Sequence, residues 1–324
     1  MKIAFHVYHF TFRGSEIAAF DYALFNREIL KNSSIIVIPR TQSQPENPLV
    51  KEKFENEFQI YYYDDLAHLE EICKRETVDA LYTIKYGTKD KLLLKEIPVF
   101  VHCVFTTEEP HGTVYAGVSQ SVARRNNKCE TPFVNHMVYL PDIKTNFRDD
   151  LGIPSNAIVF GRHGGDDTFD LPFVKEAIIE LLNERNDIFF LFAVRPRMMN
   201  DIEHSQIIYL DSFTDMRIKT KFINTCDAMI HACSLGESFG LSILEFCHQN
   251  KPVITWTGGA WHKQHHSNLG SKGIYYTNKT SVKKIMNEFS PSVHQGEDYK
   301  SLVLPFTPSK IMRQFDDVFL KAIK

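Results

Sequence analysis

The sequence contains no run of apolar residues approaching the ~18 that a membrane-spanning helix needs. The short apolar stretch Ile3 to Phe10 is broken by His6 and His9 and leads to no small-residue cleavage site, so it reads as a strand and not as a signal. Net charge is nearly absent: 37 Lys plus Arg against 40 Asp plus Glu leave −3, which provides no positive field for a polyanion and excludes nucleic acid as an expected partner. Without a basic amphipathic face, a stable membrane anchor is not expected either. The six cysteines (Cys73, Cys103, Cys129, Cys226, Cys233, Cys247) are scattered, with no C-x-x-C pair and no ligand spacing for structural zinc. They read as buried thiols in a reducing, cytoplasmic compartment. No G-x-G-x-x-G follows the first strand of either half, which disfavours a nicotinamide dehydrogenase.

What remains is an ordinary globular composition, 43% apolar and 24% charged over 324 residues, enough for about two domains at ~150 residues each. Short β-branched or aromatic runs alternate with longer amphipathic segments, the pattern of parallel sheets with crossover helices. The first half predicts strands at Lys2 to Tyr8, Ser34 to Pro39, Phe58 to Tyr63, Asp79 to Ile84, Pro98 to His102 and Val114 to Val118. Helices are predicted over Glu16 to Leu30, with Ser15 as N-cap, and over Asp64 to Arg75. A polar segment punctuated by Pro and Gly, Pro141 to Ser155, reads as a linker.

A second α/β series follows, from strand Ala157 to Gly161 through strand Gly273 to Tyr276. The expected organisation is one domain over 1–150 and a second over 151–305. A last helix over 306–324, with Ile311, Phe315, Val318, Phe319 and Ala322 at helical spacing, is expected to pack back on the first domain.

The stretch Cys226 to Gly259 concentrates the chemistry: a strand, a polar loop with Gly236 and Gly240, a helix, a Lys251-Pro252 stop, another strand and a glycine pair. A helix starting near Gly240 directs unpaired N–H groups and the positive end of its dipole outward, where an anion such as a diphosphate can sit. Glu237 precedes that helix and Glu245 lies inside it, eight residues on. Both could accept hydrogen bonds from vicinal hydroxyls.

Glu237-Ser238-Phe239-Gly240-Leu241-Ser-Ile-Leu-Glu245 resembles the E-x7-E signature of the retaining glycosyltransferases of family 4. That resemblance implies a GT-B architecture, two Rossmann-like domains with parallel sheets facing a central cleft. It also implies that Glu237 contacts the transferred sugar, that Glu245 binds the ribose, and that backbone N–H groups around Ser238, Phe239, Gly240 and Leu241 hold the phosphates. Ile158-Val-Phe-Gly-Arg162 is similar to the family's first distal strand, which places Arg162 beside the diphosphate, where a cation stabilises the leaving group.

The family's lysine five residues later is replaced here by Asp167. A backbone nest at Gly164 and Gly165, or Arg195 at the end of the next strand, could supply what that lysine would. In the proximal half, Phe100-Val-His102 followed by Tyr115-Ala-Gly-Val-Ser119 is similar to the family's strand-His, loop, strand-Ser order. This implies that His102 holds a sugar hydroxyl near the anomeric carbon, and the matching loop puts Gly14 close to phosphate or acceptor.

The expected activity is retaining transfer of a sugar from a UDP- or GDP-sugar to a hydroxyl of a glycan or similar acceptor. No bound cofactor and no metal are expected. A nucleotide-sugar epimerase and a catalytically degenerate nucleotide-sugar-binding protein are the alternatives. Trp261-His262-Lys-Gln-His265-His266 lacks both an H-E-x-x-H register and an evident third ligand, and reads as a polar loop.

Overall fold

The protein is described by a computed structural model covering residues 1–126 and 130–324, so Cys129 lies outside the described residues. The chain divides into two compact units, one of Met1–Met137 with Pro305–Lys324 and one of Val138–Leu304.

The first unit runs β1 (Lys2–His6), α1 (Gly14–Glu28), β2 (Ser33–Pro39), α2 (Pro48–Glu55), β3 (Ile60–Tyr63), α3 (Leu66–Arg75), β4 (Ala80–Lys85), β5 (Val99–Cys103), β6 (Val114–Gly117) and a short α4 (Gln120–Ala123). Its six strands pair in the order β3-β2-β1-β4-β5-β6, all parallel. Every residue of β4 and β5 is buried, as expected of central strands covered on both faces.

Helix α1 starts two residues earlier than expected. Arg13, not Ser15, is the N-cap, and no side chain caps the helix. Ser15 lies inside the first turn, where its hydroxyl donates to Glu16 Oε2 at 2.6 Å. Asp65 caps α3 by accepting from the His68 N–H at 2.9 Å. The C-terminal helix Pro308–Val318 belongs to this unit and lays Phe315 against Tyr22, with ring centroids 5.3 Å apart.

The second unit begins earlier than the sequence suggests. Residues 138–150 belong to it because the Phe147 N–H donates to Thr225 Oγ1 at 2.8 Å and the Arg148 guanidinium donates to Asp227 at 2.7 Å and to the Ala157 carbonyl at 2.9 Å. Polar residues that read as linker are thus anchors.

The unit continues with β7 (Ile158–His163), α5 (Pro172–Glu184), β8 (Ile188–Ala193), β9 (Ile207–Leu210), α6 (Met216–Thr225), β10 (Ala228–His231), β11 (Gly236–Glu237), α7 (Leu241–His248), β12 (Val253–Trp256), β13 (His262–Lys263), α8 (Gln264–Leu269), β14 (Ile274–Tyr276) and α9 (Lys279–Glu288). Its main sheet is parallel in the order β14-β12-β10-β7-β8-β9, and β11 pairs with β13 in a separate two-stranded ladder. Counted within each unit, both main sheets have the doubly wound order 3-2-1-4-5-6, whose ligands bind beyond the carboxyl ends of the two strands flanking the reversal. In the second unit those strands are β7 and β10. Gly161 lets this seam close: a Cβ there would come within 2.1 Å of Cys226 Sγ.

Candidate functional site

The carboxyl ends of β7 and β10 deliver Arg162, His163 and His231 to one place. Arg162 is only 2% exposed. Its Nη2 donates to the Gly165 carbonyl and to the Thr168 hydroxyl, and its guanidinium lies 5.8 Å from the Phe169 ring centroid. Nη1 is buried with no partner among the described residues. Burial pushes this guanidinium down to about 10, with Glu237 the strongest of the acids that oppose the shift. A buried cation with an unmatched N–H is costly unless something accepts from it.

Glu237 ends β11, and its carboxylate is held by His231, whose Nε2 lies 3.1 Å from Oε1. The strand can lie this close to β13 only because residue 236 is glycine. Gly236 has φ +76°, and a Cβ would sit 1.9 Å from the His262 carbonyl oxygen.

The chain then turns at Gly240 (φ +90°) into α7, whose start has no side-chain cap and no acid in its first turn. Its leading N–H groups are therefore unclaimed by side chains. Asn268 Nδ2 pins the turn by donating to the Phe239 carbonyl at 2.9 Å. Ser238 and Leu241 are half-buried and Phe239 is buried beside it.

Glu245 is buried on α7 with Lys219 Nζ 2.6 Å from Oε1, and His163 Nε2 lies 3.1 Å from Oε2 without the alignment of a hydrogen bond. Burial pushes His163 down to about 4, so near neutrality its ring is uncharged. Lys219 comes from α6 and is the second cation of the cluster. No motif or spacing marked it in the sequence.

Asp170 closes the floor. Its carboxylate accepts from the Ser234 N–H at 2.7 Å and from the Ser234 hydroxyl, joining the loop after β7 to the loop after β10.

Other expected site residues stand differently. Gly165 turns its carbonyl toward Arg162 and Thr168, so the loop anchors the arginine, with Gly164 (φ +137°) making the turn. Arg195 donates to Glu203 at 2.7 Å and lies 3.9 Å over the Tyr209 ring, and does not join the cluster. Asp167 is exposed, while neighbouring Asp166 pairs with Arg197 at 2.7 Å.

His102 lies in the core of the first unit, wholly buried. Nδ1 meets Tyr82 Oη at 2.6 Å, and Nε2 lies 2.8 Å from the Val134 carbonyl and 3.2 Å from that of Gly117. Neither nitrogen is left for a sugar hydroxyl, and burial pushes the ring down to about 4. Gly14 opens α1, where a Cβ would meet nothing within 4 Å, so local packing places no demand for glycine there.

His266 Nε2 is taken by the Trp256 carbonyl at 2.8 Å. Among the described residues no group of three or more His, Cys, Asp or Glu side chains is arranged to hold a metal ion. Nor is any helix among them long and apolar enough to cross a membrane.

No protein-family model matches the chain, and no curated protein matches it in sequence. Solved structures do match in fold. A glycosyltransferase from Rickettsia africae ESF-5 aligns with TM-score 0.73 at 14% identity, covering 100% of this chain and 98% of that one. The Anabaena protein HepE, solved with UDP and glucose, aligns with TM-score 0.69 at 14% identity, covering 99% and 100%. The UDP-GlcNAc 2-epimerase from Neisseria meningitidis, bound to UDP-GlcNAc, aligns with TM-score 0.59 at 11% identity, covering 99% and 100%. At such identities the likeness establishes the fold: two Rossmann-like parallel-sheet domains of the GT-B class.

Proposed function

We propose that the protein is a retaining glycosyltransferase that takes its sugar from a nucleotide diphosphate donor, UDP- or GDP-linked, and delivers it to a hydroxyl of a glycan or similar acceptor. Arg162 carries this reading: a buried guanidinium with an unmatched Nη1, electrostatically coupled to Glu237 and placed where a doubly wound sheet binds its ligands. The fold shared with HepE, which was solved with UDP, supports a nucleotide ligand.

In this reading the diphosphate accepts from Arg162 Nη1 and from the leading N–H groups of α7. Glu237 accepts from a hydroxyl of the transferred sugar, and Glu245, flanked by Lys219, faces the ribose. The acceptor oxygen bonds to the anomeric carbon on the face from which the diphosphate departs. The anomeric C–O bond to phosphate breaks, and the acceptor proton passes to the leaving phosphate oxygen. The charge that builds on that oxygen is what the cations stabilise, and no metal is invoked. His102, enclosed in the first unit's core, takes no part. The donor is assigned to residues 138–304 and the acceptor to the first unit, in a cytoplasmic protein.

A panel of UDP- and GDP-sugars, incubated with and without candidate acceptors and assayed for free nucleotide and for the anomeric configuration of the product by NMR, tests this. Transfer with retained configuration is expected. Failure to bind or turn over any donor would remove it. The epimerase of the same fold keeps a second reading in view, which predicts interconversion of the donor sugar without an acceptor. Donor binding with neither outcome would identify a degenerate binding protein.

A further inference from the structure

The Glu237 carboxylate is held by a chain of two more side chains that comes from three different strands. His231 ends β10 and is 4% exposed. Its Nε2 is 3.1 Å from Glu237 Oε1 and its Nδ1 is 2.8 Å from Thr255 Oγ1 on β12, while the Tyr276 hydroxyl from β14 donates to the His231 carbonyl at 2.7 Å. Residues 231 and 255 are direct partners in the parallel ladder, so the backbone register sets their side chains together.

An ionised carboxylate only accepts hydrogen bonds, so the proton of a neutral imidazole facing it must reside on Nε2. Nδ1 is then an acceptor, and the Thr255 hydroxyl must donate to it. A hydroxyl rotor on one strand thus dictates which histidine nitrogen faces an acid on another.

We infer that Thr255 and His231 are positioning residues: Thr255 fixes His231 in the Nε2–H form, and that N–H aims Glu237 so that its second oxygen, Oε2, is presented to the sugar. This rests on the glycosyl-transfer reading for its consequence, though not for its geometry. His265, whose ring centroid is 5.1 Å from that of His231, packs against that ring and hydrogen-bonds to the backbone of Glu237, not to its carboxylate.

Thr255→Val keeps the shape of the core and removes the donor. A purely structural role for the hydroxyl would leave turnover intact in a variant that folds. Loss of aim at a reacting centre instead costs about ten- to a hundredfold in rate. We expect kcat for transfer to fall by that factor in Thr255→Val, with the dissociation constant for UDP changed less than twofold and thermal stability retained. Thr255→Ser should restore kcat.

Independently of any activity, ¹⁵N-resolved spectra of the imidazole should report the Nε2–H tautomer in the wild-type protein and its loss in Thr255→Val. A wild-type ring protonated on Nδ1 alone or on both nitrogens would overturn the inference. So would Thr255→Val turning over at the wild-type rate. A wild-type protein that transfers no sugar yet shows the Nε2–H tautomer and its dependence on Thr255 would retain the positioning chain and sink the transfer reading instead.

Discussion

Glu16 is the sharpest test of the electrostatics in the first unit. It occupies the first turn of α1, is 3% exposed, accepts from Ser15 Oγ at 2.6 Å, and lies 3.3 Å from His9 Nδ1. A carboxylate at a helix N-terminus is ordinarily favoured by the dipole. Here burial outweighs that help and pushes the group up from 4.5 to about 7, with Ser15, the local backbone and Arg13 only partly opposing it. His9 is pushed down by burial and by Arg13, and its Nδ1 also lies 3.1 Å from Thr11 Oγ1, so it supplies little positive charge to hold Glu16 ionised.

The native state therefore binds a proton that the unfolded chain has released. This contribution to stability is fully present below about pH 4.5, declines as pH rises, and is gone above about 7. At ~1.4 kcal/mol per pH unit the interval is worth about 3 kcal/mol. Glu16→Gln preserves the shape, the acceptor for Ser15 and a neutral side chain at every pH. We expect the variant's unfolding free energy relative to wild type, from urea titrations between pH 4.5 and 8.5, to rise across the window and then level. Parallel profiles for the two proteins would refute an acid held neutral by burial.

Three further outcomes follow from the packing. Arg162→Ala and Glu237→Ala should each abolish transfer in donor-turnover assays while the far-ultraviolet circular dichroism stays native; wild-type turnover in either variant removes that residue from the mechanism. Gly236→Ala, forced into both a left-handed φ and the His262 carbonyl, should lose about 1–3 kcal/mol in thermal unfolding and impair turnover with it, because the same backbone carries Glu237. His102→Phe should destabilise the first unit by about 1–3 kcal/mol by orphaning buried partners such as the Tyr82 hydroxyl. Nucleotide affinity, measured by calorimetry, should be unchanged; a tenfold loss would restore a ligand role to this histidine.

The main strands were legible because a buried parallel strand is written as an unbroken β-branched or aromatic run. Ile188 to Val194 is such a run, and it becomes Ile188–Ala193 in the structure. The elements that escaped notice are short or weakly striped. Helix α9 buries only Val282 and Met286 and owes its start to an Asn278–Ser281 capping box, while β11 and β13 have two residues each.

The acidic and glycine-bearing parts of the candidate site lie on one contiguous stretch, so spacing could reveal them. Lys219, His163 and Asp170 arrive from other elements and are brought in only by sheet order. His102 and Arg195 show the limit of strand-end reasoning. A side chain at a strand terminus can point to either face, and Tyr82 and Val134 claim the first as surely as Glu203 and Tyr209 claim the second.

The two units share one strand order, yet their seams carry opposite chemistry, and this argues for the second as the anion site. At the end of β1, His6 is buried against Tyr63 Oη at 2.7 Å and pushed down to about 3. Lys85, a buried cation on β4, pairs with Asp90 at 2.7 Å. The helix after β1 has a buried acid of its own in its first turn. At the end of β7 a buried arginine keeps an unmatched nitrogen, and α7 begins without an acid or a side-chain cap. At the second seam an incoming diphosphate meets a buried cation with an N–H left open, whereas His6 Nδ1, also left open at the first seam, belongs to a ring that is uncharged near neutrality. Identical topology therefore supplies two equivalent ledges, and the residues at the strand ends, not the fold, decide which one binds charge.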